Sequence, residues 1–290
     1  MSNKVLIAGC GDVGNALATR LLADECEVWG VRRRVEALAD GVQPWRIDLT
    51  DPGGFDTPPT AFDYVFYTAS ADRRDEDHYR SVYVDGLRDL LGALRDARCP
   101  LRRVFFTSST AVYGQSEGEW VDENSATEPP RFNGRVLLEA EAIVREAPET
   151  GINVRLSGIY GPGRTRLVRK VWEGEATATG SWTNRIHIED CAGALHHLMR
   201  LETPETLYLG SDDEPVTTAD VVNWLSAELG VPAPPAGQTE RLNKRCRNAR
   251  LRETGYRFEH PTFREGYRPI VQEFLSRSDA TGGATSPSGE

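Results

Sequence analysis

The residues Gly9-Cys10-Gly11-Asp12-Val13-Gly14 have the types and spacing that point most directly to chemistry in this chain. Gly9 permits a tight turn, Gly11 lets backbone N–H groups come close to an anion, and Gly14 lets a following helix pack against a preceding strand. A helix starting here aims its unpaired N–H groups and the positive end of its dipole at one point. Such an arrangement suits a pyrophosphate, and Asp12 and Val13 lie inside the turn that would hold it. Eighteen residues beyond Gly14 stands Arg32, followed by Arg33 and Arg34, where a dinucleotide site needs a group for the adenosine ribose. A carboxylate there would repel a 2′-phosphate, whereas a guanidinium pairs with it bidentately. The expected cofactor is therefore NADP(H) in preference to NAD(H). Cys10 sits within the turn at a helix N-terminus, a setting that can lower a thiol pKa; a small residue filling the turn is the simpler reading.

The elements that must position these residues are legible in outline. Lys4 to Ala8 is a short apolar run of strand formers, and Val13, Leu17 and Leu21 give the next segment a helical stripe. Further strands are expected at Glu27–Val31, Arg46–Leu49, Tyr64–Ala69, Arg103–Thr107 and Asn153–Leu156. Helices are expected at about 78–97 and 135–146. Strand and helix in alternation predict a doubly wound parallel sheet of the Rossmann type, with ligands outside the carboxyl ends of the strands. Asp48, Leu49, Thr68, Ala69, Ser70 and Thr107 fall at those ends and join the expected cofactor set.

The second half is less regular, with helices expected at Asp190–Leu201 and at Thr218–Leu229, the latter capped by Thr217 or Thr218. The expected organisation is a nucleotide-binding domain over 1–160 that also takes in roughly 184–211. A smaller, mixed substrate lobe is expected over 161–183 and 212–275, and a disordered tail over 276–290.

Bulk properties narrow the class. A net charge of −10 argues against a nucleic-acid partner. No run of apolar residues is long enough to span a membrane. Five scattered cysteines without a C-x-x-C pair fit reduced thiols and neither a disulfide frame nor a metal site. The chain opens almost directly on the first strand, leaving no room for a leader, so a cytoplasmic protein is expected. The expected partner is a small-molecule substrate, and the helices at 78–97 and 135–146 are candidates for a homodimer contact.

With these residues assembled, the chain resembles the extended short-chain dehydrogenase/reductases, the NAD(P)-dependent epimerase/dehydratase group, from Val5 to about Phe274. Beyond the glycine turn the resemblance is carried by Ser108-Ser109-Thr110-Ala111-Val112-Tyr113-Gly114, by Arg155-Leu156-Ser157-Gly158-Ile159-Tyr160-Gly161-Pro162-Gly163, by Asn184-Arg185-Ile186-His187-Ile188-Glu189-Asp190, and by Glu253-Thr254-Gly255-Tyr256-Arg257-Phe258. It implies an active site in which a Tyr, its pKa lowered by a Lys one helical turn on, exchanges a proton while a Ser or Thr holds the substrate oxygen.

The chain departs from that pattern at its centre. The family's Y-G-x-S-K-x-x-A-E falls on Asn133 to Glu141, where Gly134, Ala140 and Glu141 fit but Asn133 replaces the Tyr and Leu137 the Lys. Tyr83 stands where the family often has Asn. The resemblance is thus to an atypical branch in which the dyad is lost or relocated. Ser109 is a candidate to orient a substrate oxygen, and Tyr113, Tyr160 and His187 are candidate proton donors. Asn133, Arg155 and Arg185 are candidate substrate contacts. Three readings follow. One is an oxidoreductase acting on a small carbonyl compound with a relocated proton donor. Another is a non-catalytic NADP(H)-binding sensor or partner-binding protein. The third is a nucleotide-sugar epimerase or dehydratase.

Overall fold

A computed structural model describes residues 2–280 apart from Pro52, Gly53, Asp56 and Glu240. Its strands in chain order are β1 (Lys4–Ala8), β2 (Glu27–Val31), β3 (Gln43–Trp45), β4 (Tyr64–Tyr67), β5 (Arg103–Ser109), β6 (Glu117–Val121), β7 (Thr150–Leu156), β8 (Gly158–Tyr160), β9 (Trp182–Thr183), β10 (Arg185–His187), β11 (Leu207–Gly210), β12 (Val216–Thr217) and β13 (Asn243–Cys246). The helices are α1 (Asp12–Ala23), α2 (Glu76–Arg80), α3 (Gly86–Asp96), α4 (Phe132–Arg145), α5 (Arg166–Trp172), α6 (Ile188–Arg200), α7 (Thr218–Leu229), α8 (Ala249–Glu253) and α9 (Phe263–Ala280). A π-helical turn, Ser81–Asp85, joins α2 to α3.

Seven strands form the central sheet in the order β11-β7-β5-β4-β1-β2-β3, every pairing parallel. The order reverses between β1 and β4, the switch point at which a doubly wound sheet opens a crevice. Period-two alternation explains why both faces are covered. In β1, Val5 and Ile7 join one core cluster with α1 and α6, while Leu6 and Ala8 join the other beneath α3 and α4. β4 splits the same way, Tyr64 and Phe66 to one side and Val65 and Tyr67 to the other.

Two expectations need correction. The third strand is Gln43–Trp45, not Arg46–Leu49; Pro44 is tolerated because β3 is an edge strand paired only with β2. Ile47, Asp48 and Leu49 instead turn over the carboxyl end of the sheet. Ser276 to Ala280, expected in a disordered tail, continue α9; residues 281–290 lie outside the described residues.

A third core cluster gathers Tyr160, Val168, Val171, Val221, Leu225, Phe263, Tyr267 and Val271 from the later part of the chain. Within it α7 starts with a capping box. Thr217 Oγ1 accepts the Asp220 N–H, and the Asp220 carboxylate accepts the Thr217 N–H. β6 and β13 pair in parallel across more than a hundred residues, a connection no local pattern announces. No helix among the described residues is long and apolar enough to cross a membrane.

Candidate functional site

The site is built on the β1–α1 joint. Gly9 adopts φ +83°, and a Cβ there would come within 2.3 Å of the Ala69 Cα on the neighbouring β4 connection, so no side chain fits. The turn is fixed by the Gly9 and Cys10 N–H groups, both donating to the Val31 carbonyl at 3.1 Å, and by Thr68 Oγ1 donating to the Gly9 carbonyl at 3.1 Å. Gly14 packs α1 against Ile7 and Thr68. No side chain caps the N-terminus of α1, which leaves its first-turn N–H groups facing the crevice. Burial pushes the Cys10 thiol up to about 12, with Arg32 opposing, so the turn does not activate it.

A cleft of about 440 Å³ opens over these elements. Gly9, Gly11, Asp12, Val13, Arg32, Arg33, Asp48, Leu49, Thr68, Ala69, Ser70 and Thr107 all line it. The basic end is held by backbone and by acids. Arg32 donates to the Cys10 and Ala37 carbonyls at 3.2 and 2.9 Å, and Arg33 pairs with Asp72 at 2.8 Å. Asp72 also lies 2.8 Å from His78 Nε2. Burial raises the Asp48 carboxyl, but hydrogen bonds from the Thr50 N–H and hydroxyl outweigh it and hold it below its ordinary value.

At the opposite end of the lining stand Ser109, Ala111, Asn133, Leu137, Ser157 and Ile159. Ser109 closes β5 and its Oγ accepts the Ala111 N–H at 3.2 Å, so the hydroxyl caps a turn and faces the cleft together. Asn133 and Leu137 lie one helical turn apart at the start of α4 and both face the cleft. That approach depends on Gly134, where a Cβ would meet the Ala111 carbonyl at 2.5 Å. The Ser157 hydroxyl is buried beside the cleft with no partner among the described residues.

Tyr113, Tyr160, His187, Arg155 and Arg185 are not among the cleft-lining residues. Tyr113 donates to the Asp122 carbonyl at 2.7 Å and receives Arg155 at 3.0 Å; burial, only partly offset by Arg155, pushes its phenol up to about 12. Arg155 is buried in a bidentate pair with Glu141, 2.9 and 2.7 Å. Burial works against its charge, but Glu141 outweighs that and raises its pKa. Tyr160 stacks on Tyr267 with centroids 4.6 Å apart and donates to the Thr262 carbonyl. His187 is the N-cap of α6, its Nδ1 accepting the Glu189 N–H. Burial, with His260 beside it, depresses its pKa to about 4, leaving it neutral. Arg185 reaches Thr183 Oγ1 at 2.5 Å.

His187, Asp190 and His260 cluster closely enough to suggest a metal, but Asp190 is already saturated. One of its oxygens accepts the Tyr256 hydroxyl and the Glu259 N–H, the other the His260 N–H. The trio ties the α6 joint to the C-terminal segment.

Sequence reasoning missed Asp72, His78, Tyr79 and Arg164 and noted Tyr83 only as a departure from the family pattern, yet all five line the cleft. Tyr79 and Tyr83, four residues apart across the π-helical turn, have ring centroids 5.3 Å apart. The Tyr83 hydroxyl accepts the Ala71 N–H at 3.3 Å. Their i, i+4 spacing was the available signal, and π-helical turns recur at functional sites. Arg164 stands directly after Gly163 and pairs with Asp12 at 3.1 Å.

The donor set fits a dinucleotide: an open glycine turn, an uncapped helix N-terminus, a basic ribose end and an orphaned buried hydroxyl converge on one crevice. Residues 5–210 match the NAD dependent epimerase/dehydratase family. Protein YeeZ of Escherichia coli K12 is 30% identical over 212 residues, covering 68% of this chain and 73% of that protein. A 2-alkyl-3-oxoalkanoate reductase of Shewanella oneidensis is 26% identical, covering 96% and 77%. Among solved structures, a provisional NAD-dependent epimerase/dehydratase from Methylobacillus flagellatus is 36% identical with a TM-score of 0.81, covering 95% of this chain and all of that one. Human SDR39U1, solved with NADPH, shares the fold at 22% identity with a TM-score of 0.76, covering 93% and 99%. UDP-glucose 4-epimerase of Thermus thermophilus, solved with NAD, does so at 21% and 0.76, covering 94% and 99%. Fold, glycine turn and family match agree: the chain belongs to the NAD dependent epimerase/dehydratase family.

Proposed function

We propose that this protein is an NADP(H)-dependent oxidoreductase of atypical type that reduces a small carbonyl compound. The observation that carries the proposal is the polarity of the cleft. Its glycine turn, after β1, lies between a basic end after β2, Arg32 to Arg34, and a polar end lined by Ser109 and Asn133. Arg32 and Arg33 suit a 2′-phosphate, while the turn and the α1 N-terminus suit the pyrophosphate. The related 2-alkyl-3-oxoalkanoate reductase supports a carbonyl substrate.

When bound, the nicotinamide would supply the hydride. The chain's own part is to hold the carbonyl. The Ser109 hydroxyl and the Asn133 amide donate hydrogen bonds to the oxygen on which charge develops. Leu137 lines the same cleft with an apolar side chain and offers no proton. Asn133 has no titratable proton, so the proton that completes the alcohol comes from water in the open cleft. Tyr113, Tyr160 and His187 have no part in this scheme, being engaged elsewhere.

A second reading, a non-catalytic NADP(H)-binding protein, is favoured by the same two residues, since Asn133 and Leu137 line the cleft where the family pattern has its acid–base pair. One experiment separates them. NADPH and NADH are titrated by calorimetry, and NADPH consumption is then followed with a panel of aldehydes and ketones. Tighter NADPH binding with turnover that falls about a hundredfold in Ser109→Ala supports the reductase. Tight binding with no turnover on any carbonyl supports the second reading, and tighter NADH binding overturns the cofactor assignment.

A further inference from the structure

Arg164 belongs to the connection between β8 and α5, far in sequence from the glycine turn, yet its guanidinium reaches across the cleft to Asp12, the first residue of α1. The connection is shaped to aim it. Gly161 and Gly163 take φ +149° and +78°, and the Arg164 N–H closes the turn on the Gly161 carbonyl at 3.0 Å. A Cβ at Gly161 would also press on Ile188 at 3.0 Å, so the turn is fixed against α6.

The pair occupies the ground that the uncapped α1 N-terminus offers to an anion. Asp12, in the first turn, is itself favoured there by the helix dipole. Both side chains line the cleft and stay half-exposed, at 43% and 60%, so their attraction is screened and readily exchanged. A pyrophosphate entering this position would be repelled by the Asp12 carboxylate and attracted by Arg164. A guanidinium also matches phosphate oxygens in a fixed, two-pronged geometry.

Resting on the reading of the cleft as a dinucleotide site, we infer that Arg164 is a pyrophosphate ligand held in reserve by Asp12. On binding, it exchanges the carboxylate for the phosphates. Asp12 is thus an internal competitor, and the β8–α5 connection is drawn to the cofactor by a charge carried on its own turn.

The test is calorimetric titration of the full chain at low ionic strength with NADPH and with adenosine 2′-monophosphate, which keeps the ribose phosphate and lacks the pyrophosphate. Arg164→Gln should weaken NADPH about tenfold and leave adenosine 2′-monophosphate within about twofold. Asp12→Asn should tighten NADPH about threefold, because the competing carboxylate is gone. Unchanged NADPH binding in Arg164→Gln overturns the inference, and so does an equal loss for both ligands, which marks a folding role. Unchanged or weaker NADPH binding in Asp12→Asn removes the competition. A wild-type chain that binds neither ligand defeats the dinucleotide reading itself, whereas wild-type binding of both with a silent Arg164→Gln defeats only the clamp.

Discussion

Arg155 and Glu141 form a bidentate ion pair, 2.9 and 2.7 Å, buried behind the wall of the cleft that carries Ser109. The same carboxylate accepts the Ser108 hydroxyl at 2.6 Å, and the Arg155 guanidinium also donates to the Tyr113 hydroxyl at 3.0 Å. Strand β7, helix α4 and the end of β5 are therefore locked by one charged cluster. Glu141 thereby holds the segment next to the site.

Removing one partner leaves a buried charge uncompensated. Glu141→Ala should destabilise the fold by about 3–5 kcal/mol, read as a shift of the urea midpoint. The double replacement Glu141→Leu with Arg155→Met should recover most of that loss, since no charge is then stranded.

The Arg33 side chain is exposed and pairs with the exposed Asp72 at 2.8 Å, so its removal should leave stability nearly unchanged. Arg33→Ser should weaken NADPH about tenfold and leave NADH within about twofold, measured by titrating both. Equal losses for the two dinucleotides would place Arg33 away from the 2′-phosphate.

Asp212 is buried, one of its carboxylate oxygens has no partner among the described residues, and burial, with Arg185 opposing, raises its pKa to about 8. A folded pKa above the unfolded value means that the protonated, folded form is favoured at low pH. This contribution is full below about pH 4 and lost as pH rises through about 8. Asp212→Asn should therefore match the wild type near pH 4 and exceed it by at least about 1 kcal/mol near pH 8.5 in denaturant titrations.

His187 acts in the opposite sense. Its folded pKa of about 4 lies below the unfolded value, so its contribution is full above about pH 6.5 and lost as pH falls toward 4. His187→Asn keeps an oxygen to cap α6 without the titration. Between pH 7 and 4 the wild type should lose up to about 3 kcal/mol more stability than this variant. Because Asp212 opposes the trend, the comparison is made between variant and wild type at each pH.

Much of the architecture was legible because it is local. The β1 run, the Gly9 turn and the α1 stripe are contiguous, and a positive φ against a neighbouring strand leaves only glycine. Strand and helix in alternation announced a parallel sheet covered on both faces, and Asn133 and Leu137 stand where the resemblance places the family's acid–base pair. The β3 register was less legible, since a proline on an edge strand hides a three-residue pairing that only β2 completes.

The sequence by itself determined that a glycine turn, a helix start and a basic segment stand at the spacing of a dinucleotide fold, and that neither Asn133 nor Leu137 at the head of α4 carries a titratable proton. Only the tertiary structure decided which hydroxyls, imidazoles and guanidiniums reach the cleft. Tyr113 found Asp122 and Arg155, Tyr160 found Thr262, and His187 capped its own helix, while Arg164 crossed 152 positions to meet Asp12. The physical reason is that a polar side chain pairs with whatever group the fold brings within its reach. That partner is set by packing between distant segments, which spacing along the chain does not encode.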